Sequence, residues 1–100
     1  MKMKRGVKVQ GVRSELLLAL SIADGIWRDH GKELVVTSLL DSKHSMTSLH
    51  YTGCAADLRT RYFDAPTRQK VSDALGNALT RDYDVIVEKD HIHLEYQPRR

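Results

Sequence analysis

The chain has 100 residues, enough for one ordinary domain and too few for a separate targeting or binding module beside it. Hydrophobic residues make up 41% and charged residues 29%, a globular balance that argues against disorder. The formal net charge of +3 favours an anionic partner such as a cell wall, a membrane surface or a nucleic acid, although the basic residues cluster only at the ends, in MKMKR and PRR.

The opening, MKMKRGVKVQGVRSELLLALSIADG, joins basic residues to an apolar run. Arg13 and Glu15 abut that run and Asp24 follows it at once, so no cleaved signal is expected. No stretch is long enough to span a membrane. A helix is predicted from Ser14 to His30: Ser14 suits the N-cap, Glu15 the first turn, apolar residues recur through Leu16, Leu17, Leu20 and Trp27, and Gly31 closes it. ELVVTSLL then reads as a strand, followed by a polar loop from Asp41 to about Gly53. CAADLRT is a short second strand with Cys54 and Ala56 facing away from Ala55 and Asp57.

Ala65-Pro66-Thr67 opens a second helix, with Pro66 in the first turn and Val71, Leu75, Ala78 and Leu79 at helical spacing. YDVIVEKD and HIHLEY give one or two strands, joined by or continuous through Glu88-Lys89-Asp90. Helix, strand, strand, helix, strands is the order of an α+β domain: two helices packed on a small, mostly antiparallel sheet. One domain is expected over residues 1–100, with a core about 14–96 and basic ends.

Four of the five histidines fall in two short segments, KHSMTSLHYTGCAADLRT and DHIHLEY. Alternation along a strand puts His91 and His93 on one face and Ile92 on the other. His50 and Asp57 lie either side of a glycine-containing turn, so an imidazole and a carboxylate can meet there. Two histidines and one carboxylate are typical of catalytic zinc, which leaves a fourth position to water, whereas closed structural sites use four protein ligands, often thiolates. Cys54 is the only cysteine, which excludes both an internal disulfide and a thiolate set; set among alanines, it reads as a small buried residue. Either motif alone is too short to carry a site. Both together point to one metal centre.

Ser48, His50, Gly53, Ala55 and Asp57 fit SxHxxGxAxD, and the chain thereby resembles the zinc D-Ala-D-Ala carboxypeptidases and L-alanyl-D-glutamate peptidases. The segment also resembles the zinc site of the Hedgehog signalling domain, including His44 upstream and an HIH at the far end. The likeness covers roughly residues 33–96. It implies a Hedgehog/DD-peptidase-like fold and one zinc ion held by His50, Asp57 and His93. His91 and His44 would be catalytic residues of the cleft that do not bind metal, and Ser48 would hold the substrate or support the loop. An acidic residue three positions before the last ligand makes Asp90 the general base; the Hedgehog-like pattern favours an acid further upstream, and Glu88 is the nearest.

The activity implied is hydrolysis of peptidoglycan stem-peptide bonds by metal-activated water, of either carboxypeptidase or endopeptidase type. The context implied is a phage or prophage protein that reaches the wall through lysis machinery or as a virion component. The alternative is a catalytically silent zinc domain with a protein-binding or phage-assembly role. Nucleic acid is not expected as a partner, since the sequence carries no such binding motif and few aromatics. The larger peptidases carry a substrate-binding arginine before the first ligand, and the interval from Thr37 to His44 has none; Arg59 or Arg61 could take its place.

Overall fold

The computed structural model describes residues 1–9, 12–42 and 53–97. The elements in chain order are β1 (Lys2–Met3), α1 (Ser14–Asp29), β2 (Val35–Ser42), β3 (Gly53–Arg59), α2 (Ala65–Ala78), β4 (Tyr83–Val87) and β5 (His91–Tyr96). The strands form one sheet in the order β1-β2-β3-β5-β4, antiparallel except for the β1–β2 pair. The architecture is therefore α+β, with two helices and a mostly antiparallel sheet, as the element order predicts.

Leu16, Ala19, Leu20, Ala23 and Trp27 recur three or four positions apart and form the buried stripe of α1. Leu17 and Leu18 fall outside that stripe and are exposed. The helix begins one residue earlier in its capping than the sequence suggests. Arg13 is the extended N-cap residue (φ −67°, ψ 146°), Ser14 is already helical, and the Ser14 hydroxyl turns to Glu15 instead of to a backbone N–H. At the other end Gly31 adopts φ 77°, a conformation open to glycine without strain, and its N–H donates to Arg28 O at 2.9 Å.

β2 differs from expectation at both ends: it begins at Val35, two residues after Glu33. β2 runs on through Asp41 and Ser42, which pair with Cys54 and Gly53, so both belong to the sheet and not to the loop. Glu88-Lys89-Asp90 separates two strands, and the Glu88 N–H closes the hairpin by donating to His91 O at 2.8 Å. The basic opening, read as a chain end, contributes β1 to the sheet, and Met3 packs against the core.

The core is built where the two helices meet the sheet. α1 packs against β3 and β5, and α2 against β4 and α1. Cys54, Ala56 and Leu58 of β3 lie opposite Tyr96, Leu94 and Ile92 of β5, and all six belong to the buried cluster with Trp27, Val71 and Leu75. Each fully buried leucine or isoleucine contributes about 2 kcal/mol relative to exposure. Alternation then sends Asp57, Arg59, His91, His93 and Glu95 to the opposite face.

Asp64 caps α2: its Oδ1 accepts from the Thr67 N–H at 2.8 Å, and Pro66 occupies the first turn. That bond lowers the Asp64 pKa below its usual value. A lowered folded pKa means stability that is present above the unfolded carboxyl value and lost as pH falls through the folded one. Asp64→Ala is therefore expected to lower Tm by about 4 °C at neutral pH. In thermal melts followed by circular dichroism, the gap between variant and wild type should close as the carboxyl protonates in acid.

Candidate metal centre

The register of β3 against β5 makes Asp57 and His93 direct cross-strand partners, with Arg59 and His91 the next pair on the same face. His93 Nδ1–H donates to Asp57 Oδ1 at 2.8 Å, and His93 Nε2 lies 3.2 Å from Glu95 Oε1. Glu95 is in turn held by the Gln97 side-chain amide, which donates to its other oxygen. Beside this pair, His91 Nδ1 lies 2.8 Å from Asp90 Oδ1, while Nε2 is directed toward Asp57 Oδ1 at 3.8 Å. A row of groups thus runs Asp90, His91, Asp57, His93, Glu95 along the β3–β5 pair on one face of the sheet.

The backbone around the row is pinned. The Thr60 N–H donates to Asp90 O at 3.0 Å, tying the start of β5 to the end of β3. Trp27 Nε1 donates to Arg59 O at 3.0 Å, tying the same strand end to α1. On the β2 side, the register shifts between Val36 and Ser38. That β-bulge leaves Thr37 as the extra residue, and its hydroxyl donates to Asp57 O at 3.3 Å. Thr37, Asp57 and His91 line a cleft of about 200 Å³ together with Lys4, Arg59 and Arg61.

Protonation follows from these contacts. Burial opposes the charged form of His93, but hydrogen bonds to Asp57 and Glu95 and their negative charges outweigh it and raise its pKa. The bond from His91 lowers the pKa of Asp90, which is 71% exposed.

Of the residues singled out in the sequence, the structure brings together Asp57, His93, His91 and Asp90. Glu88 is exposed, and its described role is the backbone bond that closes the hairpin. His44, Ser48 and His50 lie outside the described residues. Among the described residues no three His, Cys, Asp or Glu side chains make a complete metal-holding group. Asp57 and His93 supply two donors, and His50 would be the third. The two fit zinc: their atoms are 2.8 Å apart, and donors sharing one tetrahedral zinc at about 2.0 Å would be roughly 3.3 Å apart, so a small opening admits the ion.

Glu95 and Thr37 were not anticipated from the sequence. Glu95 was legible in principle, since HIHLE places it on the face of His91 and His93; the bulge that brings in Thr37 leaves no such pattern. No family model, curated protein or solved structure matches the chain.

In zinc-free protein, His93 is expected to titrate above the ordinary histidine value, and Asp57→Asn should lower it. Because the folded pKa is raised, the pair's contribution to stability is full in acid and fades as pH rises through that folded value. Histidine ring NMR across a pH series checks both. A His93 that titrates normally would show that the contact to Asp57 does not hold in solution.

Proposed function

We propose that the chain is a zinc-dependent peptidase of the Hedgehog/D-Ala-D-Ala peptidase type that hydrolyses peptidoglycan stem-peptide bonds, with His50, Asp57 and His93 holding the ion. The observation that carries this reading is the cross-strand meeting of Asp57 with His93, with Asp57 also lining a cleft beside His91. Joined to the SxHxxGxAxD segment, it supplies the ligand types that catalytic zinc requires. When bound, zinc would act as a Lewis acid toward the scissile carbonyl and activate a water.

The chain's own residues divide the remaining work. Glu95, steadied by Gln97, fixes the ring of His93 so that Nδ1 faces Asp57. Asp90 holds Nδ1 of His91 and leaves Nε2 facing Asp57, beside the place where the ion would be held. His91 is then the group able to take a proton from the attacking water and return it to the leaving amine, and Asp90 acts through it as the partner that sets the tautomer. The base role expected of Asp90 is in this way shared by the Asp90–His91 pair. Glu88 remains the alternative acid, and Arg59 and Arg61 contribute positive charge to the cleft. His44 and Ser48 keep the roles that the resemblance implies.

The second reading, a silent zinc domain with a protein-binding or phage-assembly role, draws on one observation. The Asp90 carboxylate is engaged with His91 and largely solvent-exposed, which is a weak arrangement for direct proton abstraction at the metal.

Mass spectrometry of peptidoglycan fragments separates the two. Zinc-loaded protein should release products whose masses name the bond cut, and chelated protein should release none. His50→Ala and His93→Ala should lose stoichiometric zinc, while His91→Ala should keep zinc and lose turnover by about 100-fold or more. A folded, zinc-bound protein that cuts no stem peptide would leave the silent domain standing.

A further inference from the structure

The basic opening segment lies beside the cleft. β1 pairs with only the first two residues of β2, Lys2 with Val35 and Met3 with Val36, and the Lys4 N–H then donates to Val36 O at 2.8 Å. There the chain turns away: the Val7 N–H donates to Lys4 O at 3.0 Å, and Gly6 takes φ 92°. Beyond Val36 the outer edge of β2 has no strand partner among the described residues. An unpaired edge presents main-chain donors and acceptors at the spacing of an extended peptide.

Along that edge runs a groove of about 390 Å³, lined by Lys4, Arg5, Lys8, Thr37, Ser38 and Leu39. It shares Lys4 and Thr37 with the cleft that holds Asp57 and His91, so the two hollows adjoin. Lys4, Arg5 and Lys8 are exposed, and no described carboxylate forms an ion pair with any of them. Alternation explains the placement. Met3 turns into the core, so Lys4 turns to the face of Asp57 and His91.

We infer that the open β2 edge and the cations Lys4, Arg5 and Lys8 form a binding groove for an extended, acidic peptide that runs along β2 into the Asp57–His91 cleft. The main chain of the peptide pairs with β2 from Thr37 onward, and its carboxylates meet the three cations. The cleft end of the groove rests on the peptidase reading, for which it names the substrate class: peptides with free carboxylates on the residues flanking the bond cut. Positive charge would also attract a nucleic acid, but a strand edge matches peptide main chain and offers no aromatic platform for bases.

The test uses zinc-free, full-length protein, so that binding is read without turnover. Fluorescence anisotropy compares a labelled short peptide of alternating alanine and glutamate with its glutamine counterpart, with a version N-methylated at alternate peptide nitrogens, and with oligothymidylate. The acidic peptide should bind about tenfold tighter than the glutamine or N-methylated forms, and Arg5→Glu/Lys8→Glu should remove that advantage. Both residues are exposed, so the variant should keep the wild-type Tm. Equal affinity for the glutamine peptide, no effect of the double variant, or tighter binding of oligothymidylate would each overturn the groove. Selective binding of the acidic peptide without zinc-dependent cleavage of stem peptides would keep the groove and remove the peptidase.

Discussion

Leu58 and Ala56 of β3 and Ile92 and Leu94 of β5 must lie on the same side of the sheet, because α1 and α2 cover only that side. A slip of one residue between β3 and β5 would turn the core side chains of the slipped strand, Ile92, Leu94 and Tyr96 if β5 moves, to the open face. With about 2 kcal/mol for each large apolar residue, such a slip forfeits much of the 5–15 kcal/mol by which a domain of this size is stable. The register is thus held by the core, and the position of Asp57 opposite His93 is its consequence on the other face. Polar groups of the candidate metal centre do not have to find each other. They are delivered by hydrophobic burial beneath them.

The helices add a second layer of control at the strand ends. Trp27 is fully buried, stacks at a tilt on Phe63 with ring centroids 6.0 Å apart, and uses its only polar atom to hold Arg59 O. Its bond therefore reaches the last residue of β3, two positions from Asp57. Thr60 continues the link by donating to Asp90 O, which sets the start of β5 and with it His91. Asp90 and His91 are accordingly placed by the core of the domain as well as by their own contact. Mutations at Trp27 would be felt in the cleft even though no atom of it lines that cleft.

Much of the scaffold was legible in the residues. The stripe of α1, Pro66 at the start of α2 and the alternation in HIHLEY each carry a local pattern that the tertiary structure obeys. What escaped reading depends on partners distant in the chain. Lys2–Met3 is too short to show any period and is a strand only because Val35 and Val36 offer an edge. Asp41 and Ser42 look like loop residues and are drawn into the sheet by pairing with Cys54 and Gly53. Arg13 displaces Ser14 as cap because the extended backbone ends one residue sooner. At the candidate site, Asp57, His91 and His93 were readable from spacing, whereas the bulge at Thr37 and the arrival of Lys4 at the cleft follow from sheet order, which no local motif encodes.

If the chain is the zinc peptidase proposed, one zinc ion would sit between Asp57 and His93 with His50 as the third protein ligand. X-ray absorption at the zinc edge, with anomalous diffraction from the same loaded protein, tests it most directly. The account predicts a single zinc with nitrogen and oxygen neighbours at about 2.0–2.2 Å, no sulfur, and an anomalous peak between the Asp57 carboxylate and His93. A sulfur neighbour, a peak away from that pair, or no bound zinc would contradict it.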